Sequence, residues 1–149
     1  MASADRCYVD PSALRSLYLH DDRSPRFCAW RRRTRGALPV TRFGRAELLN
    51  SIQLAVHRGT IGAEVAALAA ADFESDLAEG RLQLVDALWR RMLDLAADLS
   101  QEHTAKLGTR TLDVLHVASA VALGAQRFVT YDTRQAALAK AVALRVLAP

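Results

Sequence analysis

The sequence predicts an α/β fold in which helices cover both faces of a mostly parallel sheet. Short apolar runs typical of strands alternate along the chain with longer segments of helical periodicity. Such alternation indicates parallel strands, because consecutive parallel strands must be joined by a crossover that is usually a helix. Capping residues mark the ends of these segments: Asp10-Pro11 is a helix start, and Gly59, Gly80 and Gly124 each follow a helical segment.

Five strands are predicted between these caps, at Cys7–Val9, Leu38–Thr41, Leu82–Val85, 128–130 and 144–147. Helices are predicted from Pro11 onward and over 24–35, 43–58, 61–79, 87–107, 110–123 and 134–143. No internal repeat or linker divides the chain. We therefore expect one domain over residues 1–149, a length that is sufficient to bury a core.

The composition is that of a globular protein. Hydrophobic residues make up 51% of the chain and charged residues 24%, which excludes a disordered chain. Charges interrupt every apolar run before the roughly 18 residues that a membrane-spanning helix needs. Cys7 and Cys28 match neither a zinc pattern nor a disulfide framework. We expect a reduced, cytoplasmic protein.

The charge is distributed unevenly. Formal net charge is +4, and the acid-free stretch from Arg23 to Arg45 holds eight arginines. Planar guanidinium groups suit phosphate, so the stretch is able to hold a polyanion, although a solvated surface explains it equally simply. From Glu64 to Glu79 every charged residue is acidic, which indicates an exposed helix face. The eight arginines are Arg23, Arg26, Arg31, Arg32, Arg33, Arg35, Arg42 and Arg45.

Two acidic residues directly follow predicted strands. Asp10 ends the first strand, and Asp132 comes just after the fourth. If the strands are parallel, both side chains lie at the carboxyl edge of the sheet, where ligands bind in open α/β folds. Each also has a local explanation, because Asp is a good helix N-cap and a good turn residue.

Two further acids lie on helices that are otherwise largely apolar. Asp113 is in the first turn of a helix whose remainder is almost wholly apolar, and Glu47 lies beside Ala46, Leu48 and Leu49. An unpaired carboxylate on a buried surface is costly, so each needs a partner. One cation is able to serve several carboxylates at once.

A group of carboxylates suits magnesium chemistry. Mg²⁺ prefers oxygen ligands and usually binds one or two carboxylates with several waters, and paired ions about 4 Å apart catalyse phosphodiester cleavage. Without a cation, neighbouring carboxylates repel one another. Ser12 and Thr130 lie two residues from Asp10 and Asp132, where their hydroxyls either orient carboxylates or bound waters or form local caps.

Four motifs in this order resemble those of PIN-domain ribonucleases, specifically VapC-like toxins of bacterial type II toxin–antitoxin pairs, over nearly the whole chain. One departure is Pro11, where the first motif usually has Thr or another small residue; Pro11 suits a helix start. The motifs are Val9-Asp10-Pro11-Ser12-Ala13-Leu14, Ala46-Glu47-Leu48, Leu112-Asp113-Val114-Leu115-His116-Val117-Ala118 and Phe128-Val129-Thr130-Tyr131-Asp132.

The resemblance implies a PIN-like three-layer α/β/α sandwich. It implies that Asp10, Glu47, Asp113 and Asp132 form a catalytic, metal-binding quartet that cuts RNA with Mg²⁺ or with Mn²⁺ in its place. Asp132 occupies the most variable of these four positions. It also implies homodimers and a cognate VapB-like antitoxin that blocks the site. His116, one turn from Asp113, is interpreted as structural.

Candidate RNA-binding residues are Arg31, Arg32, Arg33, Arg35 and Arg134, the last of which is equally able to pair locally. Two other enzyme classes fit poorly. Aspartate phosphatases need a second Asp where this chain has Ser12, and no nucleotide-binding Gly-Lys-Ser/Thr loop is present. The alternative to a ribonuclease toxin is a PIN-fold module that binds RNA or a partner without turnover.

Overall fold

The computed structural model describes residues 6–149, and this part of the chain alternates strands with helices. The strands are β1 (Cys7–Val9), β2 (Leu38–Thr41), β3 (Leu82–Val85), β4 (Arg127–Val129) and β5 (Arg145–Leu147). The helices are α1 (Pro11–Leu14), α2 (Ser24–Arg33), α3 (Arg42–His57), α4 (Ala63–Ala78), α5 (Trp89–Leu107), α6 (Thr111–Ala122) and α7 (Thr133–Ala141), and a 3-10 turn at Arg15–Leu17 follows α1.

All of the predicted strands and helices are present, and the differences are at their ends. The helix predicted over 24–35 ends at Arg33, because Thr34 is extended at φ −86° and ψ 120°. The helix predicted over 87–107 begins at Trp89, because Leu88 has a ψ of 89°, outside the helical region. No helix in residues 6–149 is long and apolar enough to cross a membrane.

The strand pairs are all parallel. Strands β1, β4 and β5 form one hydrogen-bonded sheet in the order β1-β4-β5, with Tyr8 opposite Phe128, and β2 pairs with β3. Strand β1 lies beside β2 and joins the two parts. The carboxyl ends of β1 and β2 meet, because the backbone of Gly44, just after β2, approaches Pro11, just after β1.

Alternate residues of β1 point into two different cores, which establishes the three layers. Cys7 and Val9 pack into one core with residues of α1 to α4, such as Phe73. Tyr8 packs into the other core with residues of α5, α6 and α7, such as Leu138. The three-layer α/β/α sandwich predicted from the sequence is therefore confirmed.

Gly44 provides a test of how tightly the carboxyl edge is packed. A Cβ at this position would lie 2.9 Å from Thr41 Oγ1 and 3.3 Å from Pro11 Cγ, and Thr41 Oγ1 caps α3 through Gly44 N. We expect Gly44→Ala to lower the free energy of unfolding by about 1–2 kcal/mol, despite the better helix propensity of alanine. Urea denaturation measures this change.

The matched control is Gly62→Ala, because no atom lies within 4 Å of a Cβ built at Gly62. We expect the control to change stability by less than about 0.5 kcal/mol, as is usual for exposed positions. Equal effects of the two substitutions would contradict close packing at the carboxyl edge.

Candidate active site

Asp10 lies at the carboxyl edge of β1, and its carboxylate is fully buried. Its backbone N–H donates to the carbonyl oxygen of Val129, the last residue of β4, at 2.9 Å, and Pro11, which has no N–H, then begins α1. The side chain does not cap α1. The capping explanation considered for Asp10 therefore does not account for it.

Only one of the two carboxylate oxygens of Asp10 is satisfied. Ser12 Oγ donates a short hydrogen bond to Oδ2, and Thr130 Oγ1 donates to the same atom at 3.4 Å. Oδ1 is buried without a hydrogen-bond partner, and its nearest cationic candidate is His116 Nε2 at 4.0 Å. The hydroxyls of Ser12 and Thr130 thus orient Asp10 and leave Oδ1 available to a ligand.

The electrostatic cost of this arrangement falls on Asp10. Burial, with a smaller contribution from the charge of Glu47, raises the pKa of Asp10 above its ordinary value, and His116, Ser12 and the side-chain amide of Gln135 offset part of that rise. An ionised Asp10 in the folded chain is therefore short of compensation. A cation at Oδ1 would supply it.

Glu47 reaches this edge from α3 and is held by His116 of α6. His116 is fully buried, with Nε2 at 2.6 Å from Glu47 Oε2 and Nδ1 at 2.8 Å from the hydroxyl of Tyr8. Burial raises the pKa of Tyr8, so its phenol stays protonated. In the tautomer that carries its proton on Nε2, Nδ1 accepts from the phenol and Nε2–H donates to the carboxylate, which satisfies all three groups.

Asp113, which is buried, and Asp132, which is partly exposed, share two arginines. Arg110 Nε and Arg134 Nε are 3.4 and 3.5 Å from Asp113 Oδ2, and the Nη2 atoms of these arginines are 3.8 and 3.6 Å from Asp132 Oδ2. The two guanidinium groups therefore balance both carboxylates at the mouth of the site.

Both of these acids also stabilise helix ends. Asp113 Oδ2 accepts from Arg110 N at 2.8 Å at the start of α6. Asp132 Oδ1 accepts from the backbone N–H groups of Arg134 and Gln135 at the start of α7. The capping explanation considered for Asp132 is therefore realised, and its second oxygen is the one directed at the arginines.

One cleft of about 450 Å³ joins these groups. It contains side chains of Glu47, Asp113 and Asp132, and Ser12 connects it to the buried Asp10. Sheet topology thus places all four predicted acids at one edge. The residues that line the cleft are Ser12, Glu47, Arg110, Thr111, Leu112, Asp113, Asp132 and Gln135.

The donor set fits a hydrated Mg²⁺. Within residues 6–149, no group of three or more His, Cys, Asp or Glu side chains is arranged to hold a metal ion. Mg²⁺ does not need one, because it usually keeps several waters and binds one or two carboxylates. The unpaired Oδ1 of Asp10 is the oxygen left open for such an ion, and Asp113, whose oxygens already pair with Arg110, Arg134 and Gln135, could contribute a second ligand.

Four of the five candidate RNA-binding arginines lie away from this cleft. Arg31 donates to the carbonyl oxygens of Thr34, Gly36 and Arg81, at the amino ends of β2 and β3. It lines a separate groove of about 550 Å³ together with Arg32. Arg33 and Arg35 are exposed nearby in the chain. RNA binding by these four arginines stays a prediction, whereas the fifth candidate, Arg134, is at the acidic cleft.

Three functional candidates are contributed only by the structure. Gln135 is 5% exposed beside Asp113, Arg110 spans two acids, and His116 holds Glu47. The sequence contained a weak signal for these three residues, because each lies three positions from one of the predicted acids. Residues three positions apart lie on the same face of a helix.

A parallel α/β/α sandwich with carboxylates at its carboxyl edge defines the class of this protein. The PIN domain family matches residues 7–141, so the chain belongs to the PIN domain family. PIN domains are generally metal-dependent nucleases and typically use divalent metals. No curated protein matches the chain.

The buried charge of Asp10 gives a stability prediction. Because its pKa is raised in the folded protein, ionisation of Asp10 costs stability: the loss begins as the pH rises through the ordinary carboxyl pKa and is complete above the raised one. Without metal at pH 7.5, we expect Asp10→Asn to raise the free energy of unfolding by about 1 kcal/mol, or about 2–4 °C in Tm. The difference should shrink towards pH 4, where Asp10 becomes protonated.

The comparison is Asp113→Asn, which weakens the pairing with Arg110 and Arg134 and should lower the Tm instead. Thermal unfolding followed by circular dichroism in EDTA measures both variants. A Tm of Asp10→Asn at or below that of the wild type at pH 7.5 would contradict an uncompensated charge at Asp10.

Proposed function

We propose that this PIN domain is a Mg²⁺-dependent endoribonuclease and the VapC-like toxin of a type II toxin–antitoxin pair. The observation that carries the proposal is the buried, unpaired Oδ1 of Asp10, which Ser12 connects to a cleft lined by three other carboxylates. Family membership supports nuclease chemistry. The resemblance of the four motifs to VapC-like toxins supports RNA as the substrate and an antitoxin as the partner.

The four acids have different roles in the proposed reaction. Asp10 and Asp113 would hold the cation, with Mn²⁺ able to replace Mg²⁺. Glu47 stays oriented by His116, and Asp132 has one oxygen outside its capping bonds. A bound divalent ion activates water and stabilises the leaving oxygen of a phosphodiester.

Positive charge for the substrate is already at the cleft. Arg110 and Arg134 are 66% and 39% exposed at their side chains, so both are accessible to a phosphate group. When a cation balances Asp113 and Asp132, the two guanidinium groups become available to the RNA backbone, where bidentate contacts are favourable. The two arginines thus pair with the carboxylates before the cation and RNA bind, and contact RNA phosphates afterwards.

The partners follow from the same proposal. A VapB-like antitoxin would block the cleft, and a cationic side chain is the chemistry that its carboxylates favour. We also propose a homodimer and a cytoplasmic location, as the resemblance to VapC-like toxins implies.

The decisive experiment measures cleavage of cellular RNA by antitoxin-free protein. We expect cleavage with Mg²⁺ or Mn²⁺, none with EDTA, and a loss of about 100-fold or more in Asp10→Asn and Asp113→Asn. The matched control is Asp98→Asn, which removes the same charge from an exposed position on α5 and should retain full activity.

Each contrary result has a separate meaning. Undiminished cleavage by both cleft variants would refute the proposed site. Salt-sensitive RNA binding without metal-dependent cleavage would instead support the silent binding module.

The distance between the arginine stretch and the cleft gives a further prediction. We expect the triple variant Arg32→Gln, Arg33→Gln and Arg35→Gln to raise KM for long RNA by about 10-fold and to leave kcat unchanged, because phosphate contacts give affinity without taking part in chemistry. Cleavage kinetics at two salt concentrations measure both constants. A fall in kcat at unchanged KM would contradict a role in backbone binding.

Arg31→Gln is not an equivalent test. Its guanidinium bonds to three carbonyl groups around the ends of α2 and β3, so its loss should lower stability as well. Keeping Arg31 in the triple variant separates RNA binding from folding.

A further inference from the structure

Two side-chain atoms in residues 6–149 are buried without a hydrogen-bond partner, and both belong to the acidic cleft. They are Oδ1 of Asp10 and Oε1 of Gln135. Folded proteins satisfy the large majority of buried polar atoms, and each exception costs about 1–3 kcal/mol. Two exceptions at one place indicate that a ligand completes them.

The position of Gln135 is fixed from its backbone upward. Its N–H donates to Asp132 Oδ1 at 3.1 Å in the cap of α7, and its side chain is buried with the residue only 5% exposed. The amide Nε2 donates to Asp113 Oδ1 at 3.4 Å. Gln135 therefore connects the acid that caps α7 with the acid that begins α6.

Chemistry determines which end of the amide faces Asp113. A carboxylate only accepts hydrogen bonds, so the NH₂ end must face it, since the reverse orientation would oppose two acceptor oxygens. The carbonyl Oε1 is then the atom left without a partner. A neutral carbonyl oxygen is a hard ligand of the kind that Mg²⁺ and Mn²⁺ accept directly or through a bound water.

We propose that Gln135 is an additional residue of the cation site, with Oε1 as a neutral oxygen partner of the hydrated divalent cation; this inference rests on the cation site of the proposed function. An amide suits this position better than another acid. It adds an oxygen without adding repulsion to Asp10, Glu47, Asp113 and Asp132, and its NH₂ group holds Asp113 at the same time.

A purely structural role predicts something different. If Gln135 served only to hold Asp113 through Nε2, any substitution that removes the donor would weaken cation binding. If Oε1 itself meets the cation, loss of Gln135 should weaken binding even where Asp113 has already been removed. Gln135→Met removes both functions at similar volume, and Asp113→Ala removes the carboxylate that Nε2 holds.

The experiment is Mn²⁺ titration of the metal-free protein, followed by the electron paramagnetic resonance signal of free Mn²⁺. We expect Gln135→Met to weaken Mn²⁺ binding by about 10- to 100-fold. We expect Gln135→Met to weaken binding further in the Asp113→Ala background as well. The matched control is Gln53→Met on an exposed face of α3, which should bind like the wild type. Circular dichroism of each variant verifies folding.

The outcomes separate this inference from the proposed function. Wild-type affinity in Gln135→Met, with binding lost in Asp10→Asn, would overturn the role of Gln135 and leave the cation site intact. No further weakening by Gln135→Met in the Asp113→Ala background would overturn the oxygen role in favour of a structural one. No Mn²⁺ binding by the wild type would overturn both the inference and the cation site.

Discussion

The burial of one carboxylate organises the carboxyl edge of this domain. Asp10 follows β1 directly and has no exposed surface, although burial of an ionised group is among the most costly events in folding. Ser12 and Thr130 satisfy one of its oxygens and leave the other without a partner. The fold tolerates the cost of a buried carboxylate oxygen that no group of the chain compensates. A cation at this oxygen would compensate it, and PIN domains are generally metal-dependent nucleases.

The site depends on both helical layers of the sandwich. Glu47 comes from α3 in one layer, and the histidine that holds it, His116, comes from α6 in the other. The hydroxyl of Tyr8, on β1, forms a hydrogen bond with Nδ1, the other ring nitrogen of His116. Because neighbouring residues of β1 point into opposite cores, a single strand fixes both layers relative to the cleft. Arg110 and Arg134 pair with the carboxylates of Asp113 and Asp132, so the chain itself offsets part of the repulsion between these two acids.

Much of the fold follows from local signals in the sequence. Apolar runs, glycine caps and the Asp10-Pro11 helix start predicted the order and type of the elements, because these signals act over a few residues. The four acids were also predicted from the sequence: Asp10 and Asp132 because parallel strands bring residues after their carboxyl ends to one edge, and Glu47 and Asp113 because they lie on apolar helices. The resemblance to PIN-domain ribonucleases joined them into one set. Their role in catalysis stays a prediction, as does that of the arginine stretch. Several ends of helices and strands differ from the prediction by one or two residues; Thr34 and Leu88, for example, depart from helical geometry without a strong local signal.

By itself, then, the sequence determined the alternating architecture and the set of acids at its carboxyl edge. Only the tertiary structure decided which acid has a local explanation and which has none: Asp132 caps α7, whereas Asp10 caps nothing. It alone also paired His116 with Glu47 across 69 positions and placed Gln135 against Asp113. The physical reason is the distance along the chain over which each interaction acts. Capping and periodicity are properties of neighbouring residues, but burial and the loss of a hydrogen-bond partner depend on what the rest of the chain brings to the same place.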